Sequence, residues 1–569
     1  MKKKTILASL VVGLVTSLSS LMATDKGDQI TYDYIIVGNG TAGAVLARKL
    51  SDDHKTKVLV LEQGINHEGD EAVLDVSGSD LFNNLTTITF NPKYAETYSI
   101  NVFFPLVATS YSEGKGWGGS SLHNYLQVVR GTPDIYNQWA AISGNPLWSY
   151  NNLLPLMMAL ENYTPCSSVA NPAERGVGGP ISITQSDPVT TDPLGMLIAA
   201  PGGTNCGFIT DINDPTQVST TGFANLGVSS FQLFATAFSP CTPSQRSYSA
   251  NEFLPHSVVS FNGKGQNGRL LRIESNAYVS KVLFDGKKAV GVKFVYGNLP
   301  NKALKAFGKK IILCAGGVNT PAILQRSGIG DPAVLEPLGI KVRVNNPNVG
   351  ANLLNQYGVQ AICLATTNAT PFLQAFINAS GLAAPYDYPS GTTRRVQLDA
   401  VQAGPGVCQL FGFILEPKSR GSIKIVEKNA LTQPLIDLGM YTDGPFTTNG
   451  TDANLAVATY QLIAQSVGVG NMIFPSPAQY MAGPAALFQA ATTLSGLVAE
   501  SHICGTARMG TSIENSVVDG ELRVRGVKNL YVVDASAIPV LADGNTCYSV
   551  YALALGAAKI LGVPVPPAR

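Results

Sequence analysis

Three glycines near the start of the chain, Gly38, Gly40 and Gly43, have the spacing of a phosphate-binding turn. An apolar stretch that predicts a buried strand precedes them, and the pattern after them predicts a helix. Gly38 would allow a tight turn, Gly40 would let the backbone approach a pyrophosphate, and Gly43 would let the helix pack closely on the strand. The first helical residues, Thr41 and Ala42, would direct N–H groups and the positive end of the helix dipole at the phosphates. The chemistry that this spacing predicts is dinucleotide binding.

An acidic residue follows the next apolar stretch, at 58–61. Glu62 lies nineteen residues beyond Gly43, at the distance where a carboxylate accepts hydrogen bonds from an adenosine ribose. A glycine triplet alone also occurs in ordinary turns. Because the strand, the helix and the acid all agree, we interpret this region as a dinucleotide-binding unit.

The composition indicates a compact protein of more than one domain. The chain has 569 residues, of which 45% are hydrophobic, with 57 glycines and 34 prolines. This length exceeds what one simple core usually holds, so two or more domains are expected. Only 14% of the residues are charged and the formal net charge is +1, with no basic block after the first few residues. This balance does not favour electrostatic binding of nucleic acid.

The N-terminus has the pattern of a secretory signal. Lysines at positions 2–4 precede an uncharged, largely apolar run of eighteen residues over 6–23. We therefore predict a signal peptide over 1–23 and a secreted or periplasmic protein. An uncleaved membrane anchor is the alternative, because a run of this length nearly spans a bilayer. No other stretch predicts contact with a membrane.

The cysteines do not predict a metal site. All eight are spread along the chain without a CxxC pair, and no histidines or acids cluster at ligand spacing. Cys166, Cys206 and Cys241 lie in a turn-rich segment and could form a bridge in an exported protein. Cys314 lies within an apolar strand, where a small buried side chain is expected.

Regular patterns also occur in the middle and at the end of the chain. Alternating residues over 278–284 and 289–295 predict a hairpin. A buried strand is predicted over 309–315. Helices are predicted to begin at Thr320 and at Tyr551.

These patterns predict a nucleotide-binding domain that is assembled from separated pieces. The stretches between the pieces are turn-rich and lack nucleotide signals. We assign 30–155, 262–345 and 502–569 to the nucleotide-binding domain, and 156–261 and 346–501 to an inserted domain that would hold the substrate.

Further motifs carry a family resemblance. They read GKGWGGSSLHN over 114–124, GNPLWSY over 144–150, TPAILQRSGIG over 320–330, HICGT over 502–506 and GNT over 544–546. In this order the chain closely resembles the glucose-methanol-choline (GMC) oxidoreductases, which use FAD. Gly317 departs from the usual Ala or Ser of the family. The motifs extend from residue 32 to about 561, and such a series is implausible by chance.

The resemblance implies an α/β fold. It consists of an FAD-binding, Rossmann-like (doubly wound) domain with an inserted α+β substrate-binding domain that is built on an antiparallel sheet. Gly118, Gly119 and Ser120 would let a loop lie against the flavin and the pyrophosphate, and the backbone of Val279 would contact the adenine. The other positions that match cofactor residues are Asn124, Asp534, Ala535, Asn545 and Thr546.

Asp534 ends a predicted strand and has two interpretations. The resemblance implies that it bonds the ribityl or phosphate region of the cofactor. An acid at this place also caps the segment that follows, and both roles can hold together.

Alcohol oxidation removes a hydride from carbon and a proton from oxygen. A histidine suits the removal of the proton because its ordinary pKa is about 6.5. Of the five histidines, His502 matches the catalytic histidine of the family and Asn545 matches its partner position. The resemblance implies His502 as the general base and Asn545 as the group that bonds the substrate oxygen. The alternatives are a His502 that satisfies a backbone carbonyl and an Asn545 that shapes a turn.

His123 is unusual for the family. Most relatives have an aliphatic residue there, whereas choline-oxidase-like members have a histidine that bonds covalently to the 8α-methyl carbon of the flavin. The resemblance therefore implies a histidyl-FAD through His123. A histidine that packs under the isoalloxazine ring or bonds a backbone acceptor is the alternative.

The expected function is FAD-dependent oxidation of a small-molecule alcohol by a chain that could form a homodimer. The electron acceptor, and thus oxidase or dehydrogenase activity, cannot be read from a motif. Choline is only one candidate substrate. A non-redox lyase or a light-driven decarboxylase would keep the same fold and flavin. A structural or assembly protein, like the giant-virus relatives, is an alternative from another class.

Overall fold

The computed structural model describes residues 31–77, 81–102, 107–165, 173–185, 211, 213–214, 227–230, 232–239, 242–364, 373–378 and 395–565. The signal peptide predicted over 1–23 and the cysteines Cys166, Cys206 and Cys241 lie outside these residues, so both expectations stay predictions. Within the described part of the chain, no helix combines the length and the apolar character needed to cross a membrane.

The first sheet has a parallel centre. Thr31–Val37 pairs with Val58–Leu61 on one side and with the end of Leu299–Leu313 on the other. Leu271–Glu274 extends this centre beyond Val58–Leu61, and Leu530–Val532 pairs with the end of Leu299–Leu313. All four residues of Val58–Leu61 are buried, as expected for a parallel strand that is covered on both faces.

An antiparallel meander is attached to the parallel centre. Ala277–Asp285 and Lys288–Tyr296 form a hairpin that turns at Gly286, whose φ of 54° favours glycine. The first half of Leu299–Leu313 pairs antiparallel with Lys288–Tyr296 before its second half joins the parallel centre. The predicted hairpin is therefore confirmed, and the buried strand predicted over 309–315 is the end of this long strand.

Two long helices pack together against the parallel centre. Thr41–Ser51 contacts the parallel strands, and Cys547–Ile560 packs on Thr41–Ser51. Cys547–Ile560 is buried over most of its length. A Cβ atom added to Gly556 would stand 2.5 Å from the ring of Trp148, so glycine is required for this packing.

Both predicted helix starts were wrong by about one turn. The helices are Gly316–Arg326 and Cys547–Ile560, so each begins four residues before the predicted Thr320 or Tyr551. Cys547–Ile560 is buried on nearly all sides, and its sequence therefore lacks the periodic polar face that indicates where a helix begins.

The early start of Gly316–Arg326 places Pro321 inside the helix. Proline has no N–H, so it cannot donate to the carbonyl of Gly317 one turn back. The hydroxyl of Thr506 donates to that carbonyl over 2.6 Å. A residue from the far end of the chain thus satisfies the acceptor that the proline leaves open.

The second sheet is antiparallel, as the resemblance implied. In spatial order its strands are Met472–Phe474, Tyr357–Leu364, Val407–Ile414, Arg395–Gly404, Leu373–Asn378 and Gly227–Ser230, with Leu497–Ala499 paired to the start of Tyr357–Leu364. Helix Asp452–Val467 packs on this sheet and begins where the hydroxyl of Thr451 accepts the N–H of Asn454 over 3.1 Å. The two sheets confirm the predicted α/β fold, and the domain boundaries stay a prediction.

Smaller sheets and short helices complete the described part. The remaining strands are Ala95–Val102, Val107–Gly114, Glu161–Thr164, Ile181–Gln185, Gln232–Leu233, Ala235–Ser239, Thr242–Arg246, Ile329–Gly330, Val344–Asn345, Ser422–Lys424 and Leu435–Asp437. The remaining α-helices are Glu71–Leu74, Leu81–Thr89, Pro133–Ser143, Tyr150–Leu160, Ser249–Phe253, Pro332–Leu335, Pro477–Ala482 and Pro484–Ala491. Short 3-10 helices are Gly119–Leu122, Pro146–Trp148, Glu336–Leu338, Val469–Asn471 and Ala535–Ala537.

Candidate active site

One cavity brings together most of the residues that the sequence singled out. Its volume is about 390 Å³, and its walls include Val37 and Leu61 from the first sheet and Val401 and Phe413 from the second. His502 lines it as well. The predicted cofactor residues in its lining are Gly38, Gly40, Thr41, Ala42, Glu62, Gly119, Ser120, His123, Asn124, Val279, Asp534, Ala535, Asn545 and Thr546. Two others, Gly43 and Gly118, stand outside the lining.

Three helix N-termini converge on this cavity. The helices Thr41–Ser51, Gly316–Arg326 and Cys547–Ile560 each place their first residue in its wall. At each of the three ends, the residue before the helix makes no side-chain capping hydrogen bond. Their N–H groups and the positive ends of three dipoles favour an anion such as a pyrophosphate. The sequence analysis identified only the first of these ends.

Two glycine loops from different parts of the chain touch at the cavity wall. The N–H of Gly118 donates to the carbonyl of Asn39 over 2.8 Å. A Cβ atom added to Gly119 would stand 2.7 Å from the Cα atom of Gly40, which is too close for any side chain. The glycines at these positions therefore bring the 114–124 motif into direct contact with the first phosphate-binding turn.

Gly38 and Gly43 are required by backbone contacts behind the turn. Gly38 has a φ of 99°, and a Cβ atom there would stand 2.3 Å from the carbonyl oxygen of Cys314. A Cβ atom on Gly43 would stand 2.0 Å from the carbonyl oxygen of Gly38. Cys314 is buried, as expected from its apolar strand.

Glu62 is buried at the end of its strand and faces the cavity. Its carboxylate accepts the N–H of Asn39 over 2.7 Å and the N–H of Gly64 over 2.8 Å. Burial raises the pKa of Glu62, and these backbone hydrogen bonds oppose that rise. Glu62 thus fixes the phosphate-binding turn through hydrogen bonds, and its side chain also lines the cavity.

Asp534 has the capping role that the sequence analysis left open, and it lines the cavity. One oxygen accepts the N–H of Ser536 over 2.9 Å at the start of Ala535–Ala537. The other accepts the N–H of Gly316 over 3.0 Å and the hydroxyl of Thr320 over 2.6 Å. Burial raises the pKa of Asp534 to about 6.

Glu113 is a cavity residue that the sequence analysis missed, although it directly precedes the 114–124 motif. A Cβ atom on Gly316 would stand 3.3 Å from its carboxylate, so Glu113 lies at the start of Gly316–Arg326. Burial, followed by the nearby charge of Asp534, raises the pKa of Glu113 to about 8. Glu113 is therefore neutral at pH 7.

Three further predicted cofactor residues occupy defined places. The hydroxyl of Ser120 accepts the N–H of Gly114 over 3.1 Å. The side-chain oxygen of Asn124 accepts a hydrogen bond from the buried guanidinium of Arg246 over 2.7 Å. Val279 lies within Ala277–Asp285 with its backbone in the sheet.

His123 is a neutral, buried imidazole at the cavity. Its exposed fraction is 2%, and neither ring nitrogen makes a hydrogen bond of good geometry with a described residue, although the backbone of Glu113 lies close enough to oppose the lowering of its pKa. Burial, followed by the positive charge of Arg246, lowers the pKa of His123 to about 4. A buried polar ring without a partner is costly, so a ligand in the cavity would relieve it.

His502 is held by two consecutive residues of another segment. The backbone N–H of His502 donates to the side-chain oxygen of Asn355 over 3.0 Å. Its Nδ1 atom lies 2.7 Å from Oε1 of Gln356. Burial lowers the pKa of His502 to about 4, so the ring is neutral at pH 7 and can accept a proton.

Asn545 lines the same cavity just before helix Cys547–Ile560. Its side-chain oxygen is buried and has no hydrogen-bond partner among the residues that the structure describes. The amide therefore retains hydrogen-bonding capacity for a ligand.

The second sheet contributes a polar and aromatic wall that the sequence analysis did not identify. Asp399, Phe411 and Phe413 line the cavity together with Glu500. Burial raises the pKa of Asp399 to about 6. Burial, followed by the charge of Asp399, raises the pKa of Glu500 to about 8. The rings of Phe411 and Phe413 are stacked with centroids 6.1 Å apart.

The other three histidines stand outside the cavity lining. His54 and His256 are exposed, and His67 is buried with its ring centroid 5.0 Å from that of Tyr94.

Comparison with known proteins agrees with this site. Two family models, both described as GMC oxidoreductase, match residues 32–358 and 417–554. The alcohol dehydrogenase [acceptor] of Pseudomonas putida is 29% identical, over 93% of this chain and 95% of that protein. The oxygen-dependent choline dehydrogenase of Escherichia coli strain SMS-3-5 is 28% identical, over 90% of this chain and 91% of that protein.

A solved structure shows the same fold. The crystal structure of pyridoxine 4-oxidase from Mesorbium loti superimposes with a TM-score of 0.77 and 23% identity, covering 94% of this chain and 100% of that one. The three helix N-termini, the contact between the glycine loops and the unpartnered ring of His123 all fit a bound FAD. The chain belongs to the GMC oxidoreductase family, which includes FAD-dependent oxidoreductases acting on CH–OH donors.

Proposed function

We propose that this enzyme oxidises an alcohol to an aldehyde or ketone, with His502 as the general base and Asn545 as the group that binds the substrate oxygen. The observation that carries the proposal is a neutral His502 in the same cavity as the phosphate-binding turns. FAD, when bound, supplies the acceptor for the hydride at N5 of its flavin.

The residues of the chain supply the rest of the chemistry. His502 is uncharged at pH 7 and is fixed by two hydrogen bonds, so it can take the hydroxyl proton without first losing one of its own. Asn545 offers an amide to the substrate oxygen, which would orient the alcohol toward both the base and the flavin. The second sheet contributes Phe411 and Phe413 as apolar side chains to the wall of the cavity.

The test is anaerobic mixing of the purified flavoprotein with a panel of primary and secondary alcohols, including cationic, polyol and aryl members. Bleaching of the flavin absorbance by one class identifies the reaction and the substrate class together. A flavin that chemical reductant bleaches but no alcohol does would contradict the proposal. Such a result would favour a non-redox relative or an assembly role. Oxygen uptake after bleaching separates an oxidase from a dehydrogenase.

We also infer that His123 is bonded covalently to the 8α-methyl carbon of the flavin. The support is a neutral, buried imidazole that lines the cavity and makes no hydrogen bond of good geometry with a described residue. A neutral ring has an unprotonated nitrogen that can form this bond. FAD, when bound, would supply the methyl carbon and take up the electron pair of the broken C–H bond, while the methyl carbon and the imidazole N–H would each release a proton.

A further inference from the structure

We propose that Gln356 is the positioning residue that fixes His502 in the one tautomer able to accept the substrate proton. This inference rests on the proposed function, because it explains how the general base is prepared. It concerns a residue outside the motifs that identify the family in this chain.

The surroundings of Gln356 determine which way its amide points. The side chain is 1% exposed, and its Nε2 atom lies 2.8 Å from the carbonyl oxygen of Ala542 and 3.1 Å from that of Gly544. Carbonyl oxygens only accept hydrogen bonds. A flipped amide would place its own oxygen against both of them, so the observed orientation is the favourable one. The oxygen Oε1 must therefore face His502.

The orientation of Gln356 in turn determines the tautomer of His502. Oε1 has no hydrogen to donate, and it lies 2.7 Å from Nδ1 of His502. Nδ1 must then carry the ring hydrogen. A neutral imidazole has only one N–H, so Nε2 retains its lone pair. That lone pair is the group that a general base needs.

The same amide joins the two segments that carry the proposed catalytic side chains. Ala542 and Gly544, which accept from Gln356, lie directly before Asn545 in the chain. The neighbouring Asn355 accepts the backbone N–H of His502. Residues 355–356 therefore hold both His502 and the Asn545 loop in one arrangement.

A glutamine suits this position better than a carboxylate. A carboxylate beside Nδ1 would favour the protonated, charged imidazole and so raise the pKa of His502. The neutral amide oxygen selects the tautomer without adding a charge. This agrees with the neutral state that burial gives to His502.

The first experiment compares the variants Gln356→Met and Gln360→Met in the FAD-loaded enzyme. Gln360 lies on strand Tyr357–Leu364, which begins directly after Gln356, and it stands outside the cavity lining, so it controls for the substitution itself. Gln356→Met should slow anaerobic flavin bleaching by the parent's best alcohol on the order of 10- to 100-fold. Flavin content should stay at the parental level in both variants. Equal bleaching rates in parent and Gln356→Met would overturn the proposal.

The second experiment uses Gln356→Glu and the pH dependence of the bleaching rate. Because the new carboxylate favours the imidazolium, the acid limb of the profile should move to higher pH. A side chain at position 356 that does not face Nδ1 of His502 would leave this limb where it is. The proposed positioning role would be contradicted if the acid limb of Gln356→Glu stayed at the parental pH while flavin bleaching in Gln356→Met was slowed.

A third measurement does not depend on turnover. Nitrogen NMR of the enzyme with ring-labelled histidine reports which ring nitrogen of His502 is protonated, and the signal is assigned by its loss in His502→Ala. The parent should show a protonated Nδ1 and an unprotonated Nε2, and Gln356→Met should lose this preference. If no alcohol reacts with the parent, the proposed function fails, whereas the tautomer measurement still tests the role of Gln356.

Discussion

The Nε2 atom of His502 lies 3.9 Å from Oε2 of Glu500, and both side chains line the cavity. Burial gives both groups uncharged forms at pH 7, since the pKa of Glu500 is raised to about 8 and that of His502 is lowered to about 4. An acid that holds its proton thus stands beside a base that lacks one. This pairing presents a neutral, polar surface to an alcohol.

The raised pKa of Glu500 predicts a pH-dependent contribution to stability. Between its ordinary value of 4.5 and about 8, the folded state holds a proton that the unfolded state releases. The contribution of Glu500 to stability therefore falls as the pH rises through this window. Glu500→Gln cannot ionise, so its melting temperature relative to the parent should rise from pH 5 to pH 8.

The control for this measurement is the exposed Glu336, which lies outside the cavity lining. Thermal melts of the parent, Glu500→Gln and Glu336→Gln are compared at pH 5, 6.5 and 8 in the same buffer series. Because Glu336 is exposed, Glu336→Gln reports the effect of the substitution itself on the melting temperature. If the difference in melting temperature between Glu500→Gln and the parent does not change with pH, Glu500 is ionised in the folded protein at pH 7.

Because Gly119 touches Gly40, we predict that adding one methyl group at position 119 causes the protein to lose its cofactor. A Cβ atom on Gly119 would stand 2.7 Å from the Cα atom of Gly40, so Gly119→Ala must push the two loops apart. Gly286 offers a matched control, because its φ of +54° is close to the +52° of Gly119 and nothing lies within 4 Å of an added Cβ atom. Both substitutions carry a similar backbone strain, about 1 kcal/mol.

The ratio of flavin to protein absorbance after purification checks this prediction. Gly119→Ala should be isolated with little FAD, and Gly286→Ala should be isolated with the parental amount. Equal flavin content in the two variants would mean that the loops can separate without disturbing the cofactor site.

Removal of the proposed base should slow the oxidation of the alcohol while the cofactor stays bound. His502→Ala should slow anaerobic flavin bleaching by on the order of 10²- to 10⁴-fold, because a positioned base contributes about that much. FAD content should not change, since the phosphate-binding turns are built from other segments. The exposed His256→Ala is the control and should bleach at the parental rate. Rapid bleaching in His502→Ala would assign the proton to another group.

The phosphate-binding turn could be predicted from the sequence because its information is local. Gly38, Gly40, Gly43 and Glu62 lie within 25 residues, although the contact that requires glycine at position 38 is with the backbone of Cys314, far along the chain. Strand, turn and helix follow one another there without interruption. A pattern in one short segment was therefore sufficient to place these residues at one site.

Gln356, Asp399 and Glu500 could not be predicted in this way. They come from separate segments, and while Asp399 and Glu500 line the cavity, Gln356 reaches the site through its contact with His502. No spacing rule relates Gln356 to His502, which lies 146 residues further along the chain. Their roles depend on burial and on the direction of an amide, and neither is a property of a local pattern.

The start of Gly316–Arg326 was misplaced for a related reason. Pro321 suggested a first turn, because proline inside a helix leaves a carbonyl without its donor. The carbonyl left without its donor is that of Gly317, and the hydroxyl of Thr506, 189 residues beyond Gly317, donates to it. A local rule failed because a tertiary contact removed the penalty on which the rule depends.

The proposed covalent bond between His123 and the flavin predicts that the cofactor stays attached to the denatured protein. When the enzyme is denatured in acid and centrifuged, the yellow colour should stay with the precipitated protein. In His123→Leu, which carries an aliphatic side chain at this position, the colour should pass into the supernatant, and the intact mass should no longer include FAD. The substitution should preserve packing, because His123 is buried without a hydrogen-bond partner among the described residues. Yellow supernatant from the parent enzyme would exclude the covalent bond, and His123 would then be a neutral ring beside a cofactor held only by the glycine loops and the helix ends.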